Sequence, residues 1–401
     1  MGHTTRELQR LIIPEREVFQ NQRMRAGASK ISITPDSEVY LSGFPRGRRS
    51  KGVHDDLWVR CLSLHDGRNL LSIVTADLWA VLREDIDEIG KELKLGSNEH
   101  LLLCSTHVNS SPDMLGMFGP DSRTSGTDEA YVKKFRSAVA QCVNESRLLM
   151  KDVTTRIAAG KPDLKIENFR NPGLVNGTGL TVYFVEKSGK NVHSLTSSSG
   201  PAVLSSEENA LISCDWLHSF YSRTEQQMGG IPLFTQGPLG GIMCPVVTSR
   251  TFDEADKMGN TMADYVVDNY RKSVEVNASE VAVIEKTLEV PVENRLMMAL
   301  SAMGTFRGQI HNRRRTKVAV VKIGPLTIAA LPGSAFPEVG YEVKAMMKSQ
   351  HRAVVSFAND YVGFIIPSSK FDPTMYEERI SLGRDVANVL VAEIGLHLGG
   401  H

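Results

Sequence analysis

The sequence predicts a mixed α/β fold in which sheets are flanked by helices. Three observations carry that expectation. Short apolar runs, Leu71-Ser72-Ile73-Val74-Thr75-Ala76 and Leu101-Leu102-Leu103, read as buried strands. Segments with helical spacing, residues 81–93 and 129–149, stand beside them. Residues 317–323 and 326–331 form a hairpin pattern around Gly324-Pro325.

Taken in order, residues 57–64 and 70–76 read as paired strands around the turn Asp66-Gly67. A helix over 81–93 leads to a strand at 101–104. The longer helix over 129–149 opens at the cap Thr127-Asp128. Residues 154–159 and 180–186 read as strands, and 197–208 as a loop rich in small residues. Further strands are expected at 210–214 and 232–235, then a helix at 253–270. The second half opens with 281–292, followed by a helical stretch at 294–301. After the hairpin come a helix at 335–348, a strand at 353–357 and a closing helix at 382–398. No repeat or clear linker divides the chain. Residues 1–25 read as an N-terminal extension, with a short amphipathic helix at 7–22 interrupted at Pro14. Residues 26–401 read as a single domain; a division into two lobes falls near 275–295.

Composition excludes several classes of function. The 401 residues are 41% hydrophobic and 23% charged, enough to bury a large core. Lys+Arg and Asp+Glu both number 46, so no global field draws in nucleic acid or an anionic membrane. The one concentrated basic segment, Arg313-Arg314-Arg315, reads as a solvated hairpin or loop. No run of about 18 apolar residues exists to span a membrane. The first 25 residues lack the apolar core of a secretory signal. The five cysteines lack CxxC spacing and suggest free thiols in a reducing, cytoplasmic setting.

Chemistry concentrates where apolar strands break into polar loops. Leu101-Leu102-Leu103 runs into Cys104-Ser105-Thr106-His107-Val108-Asn109-Ser110-Ser111-Pro112-Asp113. Strand ends of this kind are where α/β folds place their sites. His107 there can ligate a metal or move a proton, or can be satisfied by local hydrogen bonds. Asp77 ends its own strand and either anchors a loop or supports a ligand histidine. Phe234-Thr235-Gln236-Gly237-Pro238-Leu239-Gly240-Gly241 makes a turn whose N–H groups can converge on an anion; a tight turn without a ligand reads equally well. Asn359-Asp360-Tyr361 is the fourth such point.

These segments, in the same order, resemble the catalytic domain of the neutral, non-lysosomal ceramidase family over residues 26–395. Ile31-Ser32-Ile33-Thr34-Pro35 is similar to its "DITP" element, and Gly52-Val53-His54-Asp55-Asp56-Leu57 to its "GIHDPL" segment. Thr106 to Pro112 is similar to "THTHSGP", and Phe234 to Gly241 to "FLQGALGG". Leu331-Pro332-Gly333-Ser334-Ala335-Phe336-Pro337-Glu338 stands where the family has "LPGEIFPE". Asn359 to Pro367, with Tyr376-Glu377-Glu378, resembles the closing block. The resemblance implies a zinc ion held by two histidines, a glutamate and a tyrosine, and hydrolysis of an amide. By position His107, His218 and Tyr361 are the implied ligands, and Gly240 and Gly241 the implied oxyanion donors.

The chain also departs from that pattern. Ser334 replaces the glutamate and Asn109 the second loop histidine, which removes an anionic donor. Asp215, Glu338 and Asp360 are the candidate substitutes. Cys244, before Pro245, falls where the family has its serine, as a thiol nucleophile or a small buried side chain; with a metal present, water is the alternative nucleophile. Two functional classes follow. One is a hydrolase of an amide or ester in a small, soluble substrate, metal-assisted if the site is intact. The other is a catalytically inactive relative that binds a ligand or partner.

Overall fold

A computed structural model describes residues 23–398 except 44, 176 and 205–208. The helix expected at 7–22 lies outside the described residues.

Two sheets lie face to face, with helices on both outer sides. The larger has nine strands. Its path runs Gly229–Gln236, Val192–Ser198, Gly179–Glu186, Lys151–Gly160, Arg25–Ser32, Trp58–His65, Leu70–Ala76 and Glu99–Ser105, with Val274–Val276 paired to Lys151–Gly160. The second sheet holds Val281–Pro291, Arg313–Ile323, Leu326–Ala330 and His351–Val355. The chain therefore passes from one sheet to the other between residues 276 and 281.

Alternation along each strand decides what faces what, because successive side chains point to opposite faces. Leu71, Ile73, Leu102 and Cys104 pack against Val321, Ile323, Ile328 and Val355 between the sheets. Val74, Ala76, Leu101 and Leu103 face outward, into a core shared with the helices Glu129–Leu148, Leu217–Met228 and Phe252–Lys272. Val318, Val320, Ala329 and Val354 face the helices Pro337–Met346 and Val386–Leu398. Strands covered on both faces read as unbroken apolar runs, which is why they were legible. Each fully buried Leu or Ile here contributes about 2 kcal/mol.

The large sheet curls. Its edge strand Gly229–Gln236 packs back against Trp58–His65, Leu70–Ala76 and Glu99–Ser105. Three parallel pairs, Leu70–Ala76 with Glu99–Ser105, Val192–Ser198 with Gly229–Gln236, and Leu326–Ala330 with His351–Val355, then bring carboxyl ends together. The Gln236 amide joins them: Nε2 donates to the Thr106 and Gly200 carbonyls, and the Ser356 N–H donates to the Gln236 carbonyl.

Several expectations need correction. The small-residue loop at 197–208 is preceded by a strand, Val192–Ser198, all of it buried. Its serines and threonines look solvent-facing in sequence, yet they lie inside, where the Thr181 and Thr196 hydroxyls meet at 3.2 Å. The helix Leu217–Met228 was not anticipated, although Leu217, Phe220, Tyr221, Thr224 and Met228 bury one face and Gly229 caps it with φ 69°. Ser334–Ala335 is a short strand parallel to Phe364–Ile365, not the start of a helix. Arg314 is not solvated. It opens a strand at 1% exposure and pairs with Glu84 and Asp360. The hairpin, the cap and the remaining helices stand where expected: the Asp128 carboxylate accepts from the Ala130 and Tyr131 N–H groups.

Candidate functional site

The site is assembled at the joined carboxyl ends. Past Glu99–Ser105 the chain is taken over by the Thr106 and His107 N–H groups, which donate to the Ala76 and Leu78 carbonyls. His107 adopts φ 63°, a left-handed conformation that costs a non-glycine residue about 1 kcal/mol or more. Phe357 and Asn359 share it, with φ 54° and 59°. Strained residues clustered at strand ends are a signature of functional sites.

What over-determines these conformations is visible. Asn359 docks on the edge strand: its N–H donates to the Leu103 carbonyl and its side-chain oxygen accepts from the Leu103 N–H, both at 2.8 Å. Asp360 is buried and accepts from Arg314 Nη2 at 2.9 Å, the Thr316 hydroxyl at 2.7 Å and the Arg83 N–H at 2.9 Å. Tyr361, between these anchors and the core, is held facing Trp79, with ring centroids 5.0 Å apart. His107 faces the same Trp79 ring at 4.9 Å and stacks on Phe357 at 4.1 Å.

His107 Nδ1 lies 2.8 Å from the Trp79 carbonyl, so it carries the proton and Nε2 keeps the lone pair. Burial pushes its pKa down to about 4, against the raising effect of that carbonyl. The imidazole is neutral at physiological pH. On the strand ends and loops that meet here, the hydroxyls of Ser105, Ser198, Ser334, Ser356 and Tyr361 are buried and lack a hydrogen-bond partner among the described residues. Their main chains are laced together, Ser105 to Phe357, Ser356 to Gln236, Gly237 to Ser198 and Phe357 to Gly333. Burial and the neighbouring Tyr376 hold the Tyr361 phenol well above its usual pKa, so it remains a donor.

The glycine turn approaches this group closely. A side chain at Gly240 would meet the Phe336 ring at 2.5 Å, and Gly241 has φ 96°. The expected donor role of Gly240 needs correction: its N–H already donates to the Ala335 carbonyl at 2.9 Å. Cys244 is half-buried on the strand Met243–Pro245, paired with Ile166–Asn168. Arg170 stacks over Phe336 and is clamped by Glu377 and Glu378.

His218 belongs to a different set. It is exposed, in the first turn of Leu217–Met228, and groups with Asp55 and Cys214, their ligand atoms all within 4.8 Å of one another. Asp55 is also bonded to His54 at 2.8 Å and to the Ser213 hydroxyl at 2.5 Å. Among the described residues no other group of three His, Cys, Asp or Glu side chains comes so close, and His107 is in none. The candidate substitutes for the missing glutamate are engaged elsewhere. Asp215 accepts from Val203, Leu204 and Trp216 N–H groups, and Asp360 from Arg314; Glu338 accepts from Asn171 through Oε1, while its Oε2 is buried without a hydrogen-bond partner among the described residues. One imidazole, a phenol and a serine hydroxyl do not fit a zinc ion at His107. A thiol, an imidazole and a carboxylate, groups of the kinds that zinc takes, meet at Asp55, Cys214 and His218, where Asp55 also accepts from the Cys214 N–H and thiol.

Asp77 supports the loop, not the imidazole: it accepts from Thr106, Tyr221 and the Trp58 N–H. Trp79, Phe357 and Gln236 carry positions in the site that sequence reasoning did not assign. Gln236 had a signal, a lone amide closing an apolar strand. Trp79 acts through its carbonyl, which no side-chain pattern reveals.

No protein-family model and no curated protein matches the sequence. Solved structures do. The chain is similar to neutral ceramidase from Pseudomonas aeruginosa, with a TM-score of 0.80 and 15% identity over 94% of this chain and 74% of that one. It is similar to a ceramidase complexed with C2 at a TM-score of 0.78 and 14% identity, again over 94% and 74%. The overall arrangement of the chain is thus a neutral-ceramidase-like fold.

Proposed function

We propose that this protein is a hydrolase of an amide or ester bond in a small, soluble substrate, working at His107 and Tyr361. The observation that carries the reading is the His107 imidazole: backbone-strained, fixed by the Trp79 carbonyl, neutral, and packed on the same Trp79 and Phe357 rings as Tyr361, whose hydroxyl has no partner among the described residues. Nε2 takes a proton from water as its oxygen attacks the carbonyl carbon. The Tyr361 and Ser334 hydroxyls donate to the oxygen that becomes negative, and the imidazolium returns its proton to the departing amine or alcohol. A base of low pKa is weak, which puts much of the rate on those donors. Kinship in function with ceramidases is part of the proposal, as is a cytoplasmic setting, which rests on five free cysteines.

Zinc is proposed only at Asp55, Cys214 and His218, where a bound ion would supply a fixed double positive charge. No step above runs through it.

One observation favours the second reading, a ligand-binding relative without turnover: Tyr361 and Ser334 are 2% and 1% exposed, and the Gly240 donor is spent. Purified protein assayed against short N-acyl amides and esters decides between them. The hydrolase reading expects turnover that His107→Gln abolishes; saturable binding of such compounds without any product establishes the other.

A further inference from the structure

A cleft of about 440 Å³ that includes none of the His107 set opens between the two sheets at the helix Pro337–Met346. Lys344, His351 and Arg352 line one wall, and Thr178 and Ser197 the other, over a floor of Leu180, Ala353 and Val354. No carboxylate is among the described residues that line it. Lys344 sits in the last turn of its helix, and His351 and Arg352 begin the strand His351–Val355, so the fold itself aims three basic side chains at one space. His351 Nε2 is buried with no hydrogen-bond partner. The Lys344 ammonium is held below its usual pKa, first by burial and then by the Arg352 charge. Arg352 is exposed and donates from Nη1 to the Lys344 carbonyl at 3.3 Å, which leaves Nη2 and Nε for a ligand; like charges gathered at one cleft repel, and an anion between them would offset that.

We infer that this cleft binds a small oxyanion carrying a short apolar group, gripped by Lys344 and Arg352 with His351, Thr178 and Ser197 as hydrogen-bonding partners. The guanidinium suits the two oxygens of a carboxylate or phosphate. Leu180, Ser197 and Ala353 also line an apolar crevice that continues between the sheets toward Ile328 and Val355. That crevice has only about 10 Å³ of free space, room for about one water, so the apolar part is limited to a few carbons.

Calorimetric titration of the full chain with butyrate, inorganic phosphate, n-butanol and chloride tests this. Saturable binding of butyrate or phosphate is expected, with none of butanol or of chloride at equal ionic strength. Butyrate tighter than phosphate assigns a carboxylate with an apolar tail; the reverse order assigns a phosphate-bearing ligand. Lys344→Gln and Arg352→Gln should each weaken binding at least about tenfold, as loss of a charged hydrogen bond does. Ala345→Glu, which places a carboxylate in the cleft, should abolish it without unfolding the protein. His107→Gln should bind the anion like wild type, which separates this site from the proposed reaction. Absence of saturable binding by either anion, or equal binding by the Lys344→Gln/Arg352→Gln double variant, overturns the inference.

Discussion

The surroundings of His107 and His218 differ in what their polar atoms have left to do. Around His218 the polarity is spent: Asp55 accepts from His54, from the Ser213 hydroxyl and from both the N–H and the thiol of Cys214. At the strand ends that meet near His107 it is not, since five buried hydroxyls lack partners among the described residues and the imidazole keeps a lone pair. A buried polar group without a partner costs about 1–3 kcal/mol, so the fold is less stable around His107 than its chemistry would allow. That difference assigns reaction chemistry to His107 and cohesion to Asp55.

The largest expected effect separates the two sets by chemistry. His107→Gln should lower turnover by about 100-fold or more, the usual worth of a general base, while cobalt-loaded protein keeps its thiolate-to-metal absorption. Cys214→Ala should lose that absorption. Loss of the absorption in His107→Gln instead would join the two sets into one centre and break the comparison.

Next comes cohesion. Asp55→Ala strands the Cys214 N–H and the Ser213 hydroxyl, and should destabilise by about 2–4 kcal/mol in denaturant titration. A loss under about 1 kcal/mol would mean that the knot around Asp55 is no tighter than the surface.

A pH effect of about 3 kcal/mol follows from the His107 pKa of about 4 against an ordinary 6.5. Between those values the unfolded chain holds the proton and the folded chain does not, so the contribution is present above pH 6.5 and lost as pH falls toward 4. Asp77 and Asp113, raised by burial to about 7 and about 6, slope the opposite way, losing their contribution as pH rises through those values. The readout is therefore the difference between wild type and His107→Gln, which should shrink on acidification. A flat difference from pH 7 to pH 4 would refute a depressed His107.

The smallest effect has an unusual sign. Tyr361→Phe removes a buried hydroxyl without a partner among the described residues, so it should stabilise the protein by about 1 kcal/mol while lowering turnover. Destabilisation would show that the phenol has a structural partner after all.

Much of the architecture was legible before any coordinates, for local reasons. Apolar runs at Leu71 to Ala76 and 317–331 announce strands covered on both faces, and Asp128 announces a helix start. The strand Val192–Ser198 was hidden because its serines and threonines are buried by the sheets around it, as where the Thr196 hydroxyl meets Thr181 on the neighbouring strand, a fact no single strand contains. Of the site, His107 and Tyr361 stood out by position at strand ends.

Sequence alone determined which residue types end each strand, and that an imidazole, a phenol and a glycine turn were available while a glutamate was not. Only the tertiary structure decided how they are used. It curled one sheet until Gln236 met Thr106, drove Asn359 onto the Leu103 edge, spent the Gly240 N–H on Ala335 and grouped His218 with Asp55 and Cys214. Those outcomes depend on contacts between residues far apart in the sequence, made by strand register and sheet curvature; no local pattern encodes which donor finds which acceptor.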